Sequence, residues 1–237
     1  MLDLVAFDAD DTLWHNEGFY TTAKEQLREI LGKYHPPTYV EDQLDDIEIR
    51  NLAIYGYGIK SFLLSMIETA AVISPGQVSG QEIQEILAIG KEMLKSNVPL
   101  MDGVEVILAT LIRDYSLMLI TKGDLFEQER KVKRSGLSKY FSFIEVVGEK
   151  TPAAYRVLLE KYAVDPARFV MVGNSLKSDI LPVLEIGGQA VYIPYHNTWA
   201  HENDIGDALD GYDYLTIERL GELPPLLAKL HAPDTTT

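Results

Sequence analysis

Two kinds of hydrophobic pattern alternate along this chain. Leu4-Val5-Ala6-Phe7 is a short apolar run that stops at Asp8-Ala9-Asp10-Asp11-Thr12. Such a run, closed by a polar turn, predicts a buried strand. From Glu17 the period changes: Phe19, Ala23, Leu27, Ile30 and Leu31 recur at helical spacing, with Gly32 placed to act as a C-cap. His35-Pro36-Pro37 breaks the pattern. Leu44 to Tyr55, Lys60 to Ile73 and Gln81 to Leu94 then read as three further helices, with Ser74-Pro75-Gly76 between two of them. From Glu17 to Ser96 there is almost no strand signal.

Pro99 to Gly103 marks a boundary, and beyond it helices alternate with apolar strands. Helices are predicted over Val104 to Asp114, Leu125 to Ser135 and Asp179 to Ile186, and another opens at Thr151-Pro152, with Thr as N-cap and Pro in the first turn. Strands are predicted over Leu117 to Thr121, Phe143 to Val147, Phe169 to Gly173 and Ala190 to Pro194, with Tyr214 to Ile217 as a last edge strand. Short apolar strands alternating with helices imply a parallel sheet covered on both faces. The expected fold is therefore an α/β, doubly wound, Rossmann-like core with an all-helical insert after the first strand. The expected division is 1–16 and 98–237 for the core and 17–97 for the insert. The tail from His231 to Thr237 reads as frayed.

Composition narrows the functional classes. The hydrophobic share of 46% is ordinary for a globular protein of 237 residues. With 36 Asp and Glu against 21 Lys and Arg, the net charge is −15. So acidic a chain repels nucleic-acid backbones and anionic membranes, so neither is expected as a partner. No apolar run is long enough to span a bilayer. Cysteine is absent, which excludes disulfides, thiolate metal sites and cysteine nucleophiles. The first residues carry Asp3 and no basic stretch ahead of a long apolar one, so a signal peptide is not expected and a cytoplasmic location is.

The chemistry concentrates where predicted strands end. Asp8, Asp10 and Asp11 put three carboxylates at the mouth of a buried strand. Their mutual repulsion must be offset by a cation, protons or water. A divalent ion is the simplest answer, and magnesium suits carboxylate oxygens. The plainer reading of Asp10-Asp11-Thr12 is a polar turn that caps a helix. Three more polar loops follow later strands: Thr121-Lys122-Gly123-Asp124, Gly148-Glu149-Lys150 and Gly173-Asn174-Ser175-Leu176-Lys177-Ser178-Asp179. In an open α/β sheet, ligands bind beyond the carboxyl ends of the strands, so the four loops make one composite site.

Taken in order, these loops resemble the motifs of the haloacid dehalogenase-like hydrolase superfamily. Asp8-Ala9-Asp10-Asp11-Thr12 has the form Asp-x-Asp-x-Thr, Thr121 ends a strand, Lys150 precedes a helix, and Gly173-Asn174 with Asp179 supplies the fourth motif. The helical insert resembles the family's cap domain. Two positions depart from the family pattern: Asp11 where Gly is commoner, and Asn174 where Asp is commoner. A neutral amide at 174 removes one negative charge from the metal site.

The resemblance implies a phosphatase branch enzyme that acts on a small phosphorylated metabolite through an aspartyl-phosphate. Asp8 is then the nucleophile and Asp10 the general acid and base. Thr121 and Lys150 complete the catalytic set, while Thr12, Lys122 and Gly123 are expected to bind substrate. Magnesium would be held by Asp8, the backbone carbonyl of Asp10, Asn174 and Asp179. The dehalogenating branch lacks the second Asp. Plainer readings remain for several of these: Thr121 as a β-branched strand residue, Lys122 as a solvated side chain, and Asn174-Ser175 as a helix cap.

Within the helical block, Tyr55-Gly56-Tyr57-Gly58-Ile59-Lys60 reads more readily as an interhelix turn than as a substrate loop, and His15 as structural. A phosphotransferase or mutase on the same core, or a non-catalytic binding protein retaining the fold, are the rival functions. Either a monomer or a homodimer is compatible with the sequence.

Overall fold

The structure is a computed structural model that describes residues 2–203 and 205–231. The expected frayed tail beyond His231 lies outside the described residues. In chain order the elements are β1 (Leu4–Phe7), α1 (Glu17–Leu31), α2 (Pro37–Tyr55), α3 (Ile59–Ile73), α4 (Gly80–Lys95), α5 (Val104–Leu111), β2 (Ser116–Lys122), α6 (Leu125–Ser135), β3 (Phe143–Val147), α7 (Pro152–Lys161), β4 (Phe169–Gly173), α8 (Leu181–Leu184), β5 (Gln189–Tyr192), α9 (Ala200–Asn203), β6 (Leu215–Thr216) and α10 (Leu223–His231). Contacts divide the chain into two compact units. One comprises Met1–Glu17, Val98–Lys122 and Glu129–Thr237; the other comprises Gly18–Asn97 and Gly123–Gln128.

The first unit is built on a parallel six-stranded sheet of order β3-β2-β1-β4-β5-β6. β1 is buried throughout and central, and strand order reverses on its two sides. Alternation along each strand sends neighbouring side chains to opposite faces. Val5, Phe7, Leu117, Leu119, Val170 and Val172 join one apolar layer with α5 and α10. Leu4, Ala6, Met118, Ile120, Phe169 and Met171 join the other with α7 and α8. A strand buried on both faces has to be apolar at every position, which is why β1 and β4 read as continuous runs. The doubly wound α/β core expected from the sequence is therefore the observed one.

The second unit is a helical assembly. Ala23, Leu27 and Leu31 of α1, Val40 and Leu44 of α2, Phe62, Met66 and Ala70 of α3, and Ile86 and Met93 of α4 share one apolar cluster. α4 starts with a capping box: Ser79 Oγ accepts from Glu82 N–H, and the Glu82 side chain accepts from Ser79 N–H. The turn between α2 and α3 contains Gly56 (φ 70°) and Gly58 (φ 119°), as its glycine spacing suggested. Gly123–Gln128 groups with these helices through an Ile59 N–H bond to Glu127 (2.9 Å) and a Lys60–Asp124 ion pair (2.7 Å).

Several boundaries differ from the pattern-based expectation. α2 begins at Pro37 rather than Leu44, because a proline at the first helical position loses no hydrogen bond. Gly32 takes no left-handed conformation, and Tyr34 and His35 N–H groups close α1 by donating to Leu31 O. The helix expected over Asp179–Ile186 is instead a wide π-type turn, Leu176–Ile180, running into the short α8. α5 ends at Leu111, three residues early. No helix among the described residues is long and apolar enough to cross a membrane.

Candidate active site

The loop after β1 is held by its own backbone and side chains. Asp8 N–H continues the sheet by donating to Val172 O at 2.9 Å, which leaves the Asp8 side chain at the end of the central strand. Asp11 sits at φ 62°, a left-handed conformation that Asp tolerates and Gly adopts freely. This accounts for the residue exchange noted at that position. Its carboxylate accepts from the N–H groups of Asn16 (2.8 Å) and Glu17 (3.1 Å), the first residue of α1. The plain reading of this loop as a helix cap thus applies to Asp11. Burial pushes its carboxyl up to about 6, against the hydrogen bonds from Asn16 and Glu17. Thr12 is buried and donates from its hydroxyl to Asn174 Oδ1 at 3.2 Å, tying the first loop to the fourth.

Asp10 points elsewhere. Trp14 Nε1–H donates to it at 2.6 Å, and Lys131 Nζ reaches both its oxygens at 3.0 Å. Lys131 also donates to Asn16 Oδ1 at 2.8 Å. Neither Trp14 nor Lys131 carries a sequence signal for this role. Lys131 is one of several cations on α6, and only the packing of that helix selects it.

Lys150 lies at the centre of the opposing charges. Its ammonium donates to Asp8 Oδ1 at 2.5 Å and to Asp179 Oδ1 at 2.7 Å, and all three side chains are buried. Burial works against the Lys150 ammonium, but Asp179 and Asp8 together outweigh it and hold its pKa above the ordinary value. Burial pushes the Asp8 carboxyl up, and the attraction of Lys150 offsets part of that rise. The position of Lys150 depends on the cap that follows: Thr151 accepts from Ala154 N–H at 3.1 Å and starts α7.

Asp179 packs against the end of β4 because residue 173 has no side chain. A Cβ there would lie 2.2 Å from Asp179 Oδ2. That oxygen accepts from Ser175 N–H at 3.0 Å. Ser175 in turn caps the Leu176–Ile180 turn by accepting from Ser178 N–H at 2.9 Å, so the expectation of a cap here falls on Ser175.

Thr121 is buried at the end of β2, one residue beyond the level of Asp8 in the strand register. Lys122 is not solvated as its plainer reading had it. Its Nζ donates to Glu202 Oε1 at 2.6 Å and Ser178 Oγ at 2.9 Å. Gly123 has φ 137° and belongs with the helical unit. His15 Nδ1 meets the Tyr195 hydroxyl at 3.0 Å. Glu202 escaped sequence reasoning, since a lone Glu after the fifth strand has no distinguishing pattern.

The side chains here that could hold a metal offer oxygen only: Asp8 and Asp179, which share Lys150, and the amide of Asn174, tied to the first loop through Thr12. Among the described residues no three His, Cys, Asp or Glu side chains are grouped as a metal-holding set. The remaining ligands would have to come from Asn174 and the backbone. This is the chemistry of a hard divalent cation such as magnesium, which takes few protein carboxylates and keeps other oxygen ligands.

This constellation on a parallel sheet defines a hydrolase of the haloacid dehalogenase type. A family model described as haloacid dehalogenase-like hydrolase matches residues 2–187, and the chain belongs to that family. It is similar to a haloacid dehalogenase-like family hydrolase from Xanthomonas campestris, with 40% identity and a TM-score of 0.86 over 97% of this chain and 91% of that one. It is 24% identical to N-acylneuraminate-9-phosphatase of Homo sapiens over 95% of this chain and 94% of that protein. It is also 24% identical to glyceraldehyde 3-phosphate phosphatase of Methanothermobacter thermautotrophicus, over 96% of this chain and all of that protein.

Proposed function

We propose that this protein is a magnesium-dependent phosphatase that hydrolyses a small phosphorylated metabolite through an aspartyl-phosphate on Asp8. The observation that carries this reading is the Asp8–Lys150–Asp179 arrangement at the end of the central strand. A buried carboxylate beside a fixed ammonium suits in-line attack on phosphorus, because the cation offsets repulsion between two anions. The two relatives named as phosphatases support the same reaction class.

In this scheme an Asp8 oxygen forms a bond to phosphorus as the bond to the leaving oxygen breaks. Asp10 donates a proton to that leaving oxygen, then takes one from the water that attacks the acyl phosphate and releases inorganic phosphate. Trp14 and Lys131 fix where the Asp10 carboxylate stands. Thr121 and the Lys150 ammonium hold phosphoryl oxygens. Asp8, Asp179, Asn174 and the Asp10 carbonyl would hold the magnesium ion, which supplies further positive charge to the phosphoryl oxygens. Asn174 gives that site an amide where an acid would bind more tightly, and its Oδ1 is oriented by Thr12.

The test uses a generic aryl phosphate and a panel of small phosphate esters. Turnover should vanish with chelator and return with added magnesium, and acid-quenched enzyme should carry phosphate on Asp8. Turnover indifferent to chelator would remove the metal, and a quenched enzyme that never carries the label would remove the covalent step.

A further inference from the structure

Glu202 lies beyond the stretch matched by the family, on the four-residue α9, yet its side chain is largely buried against two loops of the site. Its Oε1 accepts from Lys122 Nζ at 2.6 Å. Its Oε2 accepts from the hydroxyls of Ser175 and Ser178, each at 2.6 Å. The donor and acceptor roles close without conflict. Ser178 Oγ accepts from Lys122 at 2.9 Å and donates to Glu202, while Ser175 Oγ accepts from Ser178 N–H and donates to Glu202. An ionised carboxylate, which accepts at both oxygens and has no proton of its own to place, suits all three donors at once. Burial opposes that charge, but Lys122 and the two serines overcome it and hold the Glu202 carboxyl at about 2. A second tether runs alongside, from Leu176 N–H to Asn203 Oδ1 at 3.4 Å.

We propose that Glu202 is a positioning residue: it fastens Lys122, at the end of β2, to the Ser175–Ser178 turn and so fixes the loop that carries Asn174 and Asp179. The geometry requires this coupling. Ser175 and Ser178 sit between Asn174 and Asp179 in the chain, and Ser175 N–H itself holds Asp179 Oδ2 at 3.0 Å. Releasing the serine hydroxyls frees the turn that presents both side chains. Lys122 accordingly acts as a strut between loops, its charge already matched by Glu202. The kinetic part of this inference rests on the phosphatase reading; the link between the loops does not.

Two measurements on the full chain test it. The first is amide hydrogen exchange over Leu176–Ile180 in Glu202→Ala and the milder Glu202→Gln. Exchange there should quicken by about tenfold or more in the alanine variant, and less in the glutamine variant, with β1 amides unchanged. The second is a double-mutant cycle of Lys122→Met and Glu202→Gln on aryl phosphate turnover. Each single change should lower kcat by about tenfold with KM within about threefold, and the double variant should be no slower than the worse single, because contacting partners are not additive. A role in bulk stability alone would not lower kcat of the folded enzyme at constant KM. Unchanged exchange across Leu176–Ile180, or rates that multiply in the double variant, would overturn the proposal. If wild-type protein shows no turnover on any ester, the phosphatase reading fails, and exchange alone decides the clamp. Should Glu202→Ala not fold, Glu202→Gln carries both measurements.

Discussion

The two units of this chain both bury carboxylates, but they treat them differently. In the sheet unit, Asp8 and Asp179 share Lys150, Asp10 is held by Lys131 and Trp14, and Glu202 takes Lys122 and two serines. In the helical unit, Glu48 of α2 is buried, and among the described residues it has no comparable set of donors. Burial pushes its carboxyl up to about 7; Lys24 works against the rise, but Lys24 is paired with Asp45 at 2.7 Å, which adds to it. α2 and α3 also carry buried polar side chains that are hydrogen-bonded. Asn51 donates to Ser65 Oγ (3.1 Å) and Glu68 (2.8 Å), and Ser65 and Thr69 hydroxyls return to helix carbonyls. At the strand ends each buried acid has its own donors, the arrangement that the proposed chemistry needs. Buried charge left largely to itself, as at Glu48, costs stability.

The largest expected effect falls on the paired side. Asp8→Asn should lower turnover by about 10⁴-fold or more, as loss of a covalent nucleophile does. The melting temperature should hold, because the amide keeps its size and Lys150 keeps Asp179. Substantial turnover in this variant would remove Asp8 from the nucleophile's place. Next is Lys150→Met, which leaves Asp8 and Asp179 buried without their shared cation. Breaking a buried pair this way costs about 3–5 kcal/mol, so denaturant unfolding should show a loss of that size together with nearly complete loss of turnover. A variant of ordinary stability would mean that the lysine is not the charge that holds the two acids.

A smaller effect is expected at Gly173→Ala. The added methyl would strike Asp179 2.2 Å away, so the carboxylate must move off the strand end. Overpacking of this kind costs about 1–3 kcal/mol. Turnover should fall while a Gly187→Ala control, with open space at its Cβ, leaves turnover untouched and pays only for its own backbone.

Glu48→Gln sharpens the contrast from the other side and should leave turnover alone. The folded protein holds the Glu48 proton up to about pH 7, against 4.5 for the ordinary carboxyl. Stability is therefore lost as pH rises through that window, and the full cost applies above it. The shift corresponds to an upper bound of about 3 kcal/mol. Glu48→Gln should thus raise the unfolding free energy at pH 8 and make no difference at pH 4. An unchanged or lower stability at pH 8 would show that Glu48 is better compensated than its surroundings indicate.

The strand ends were legible because a parallel sheet forces continuous apolar runs, and any polar residue that follows one stands out. The loops that carry Asp8, Asp10, Thr12, Thr121, Lys150, Asn174 and Asp179 stood out in that way, and the family resemblance singled out these residues within them. The partners that organise them were not. Lys131 is one cation on a basic helix, Trp14 an aromatic beside a loop, and Glu202 an acid on a short helix far along the chain; local sequence gives none of them a neighbour. The turn at Leu176–Ile180 escaped the helical period because capping by Ser175 and the approach of Asp179 to Gly173 reshape it.

Local order along the chain thus specifies which segments alternate, which are buried on both faces, and which acids and hydroxyls end up on one rim, since these follow from periodicity and from where apolar runs stop. Folding in three dimensions selects which cation meets which acid: Lys150 for Asp8 and Asp179, Lys131 for Asp10, Lys122 for Glu202. The reason is physical. Hydrophobic patterning is read within a few residues, whereas an ion pair forms between groups of opposite charge that the packing of distant elements brings within about 3 Å.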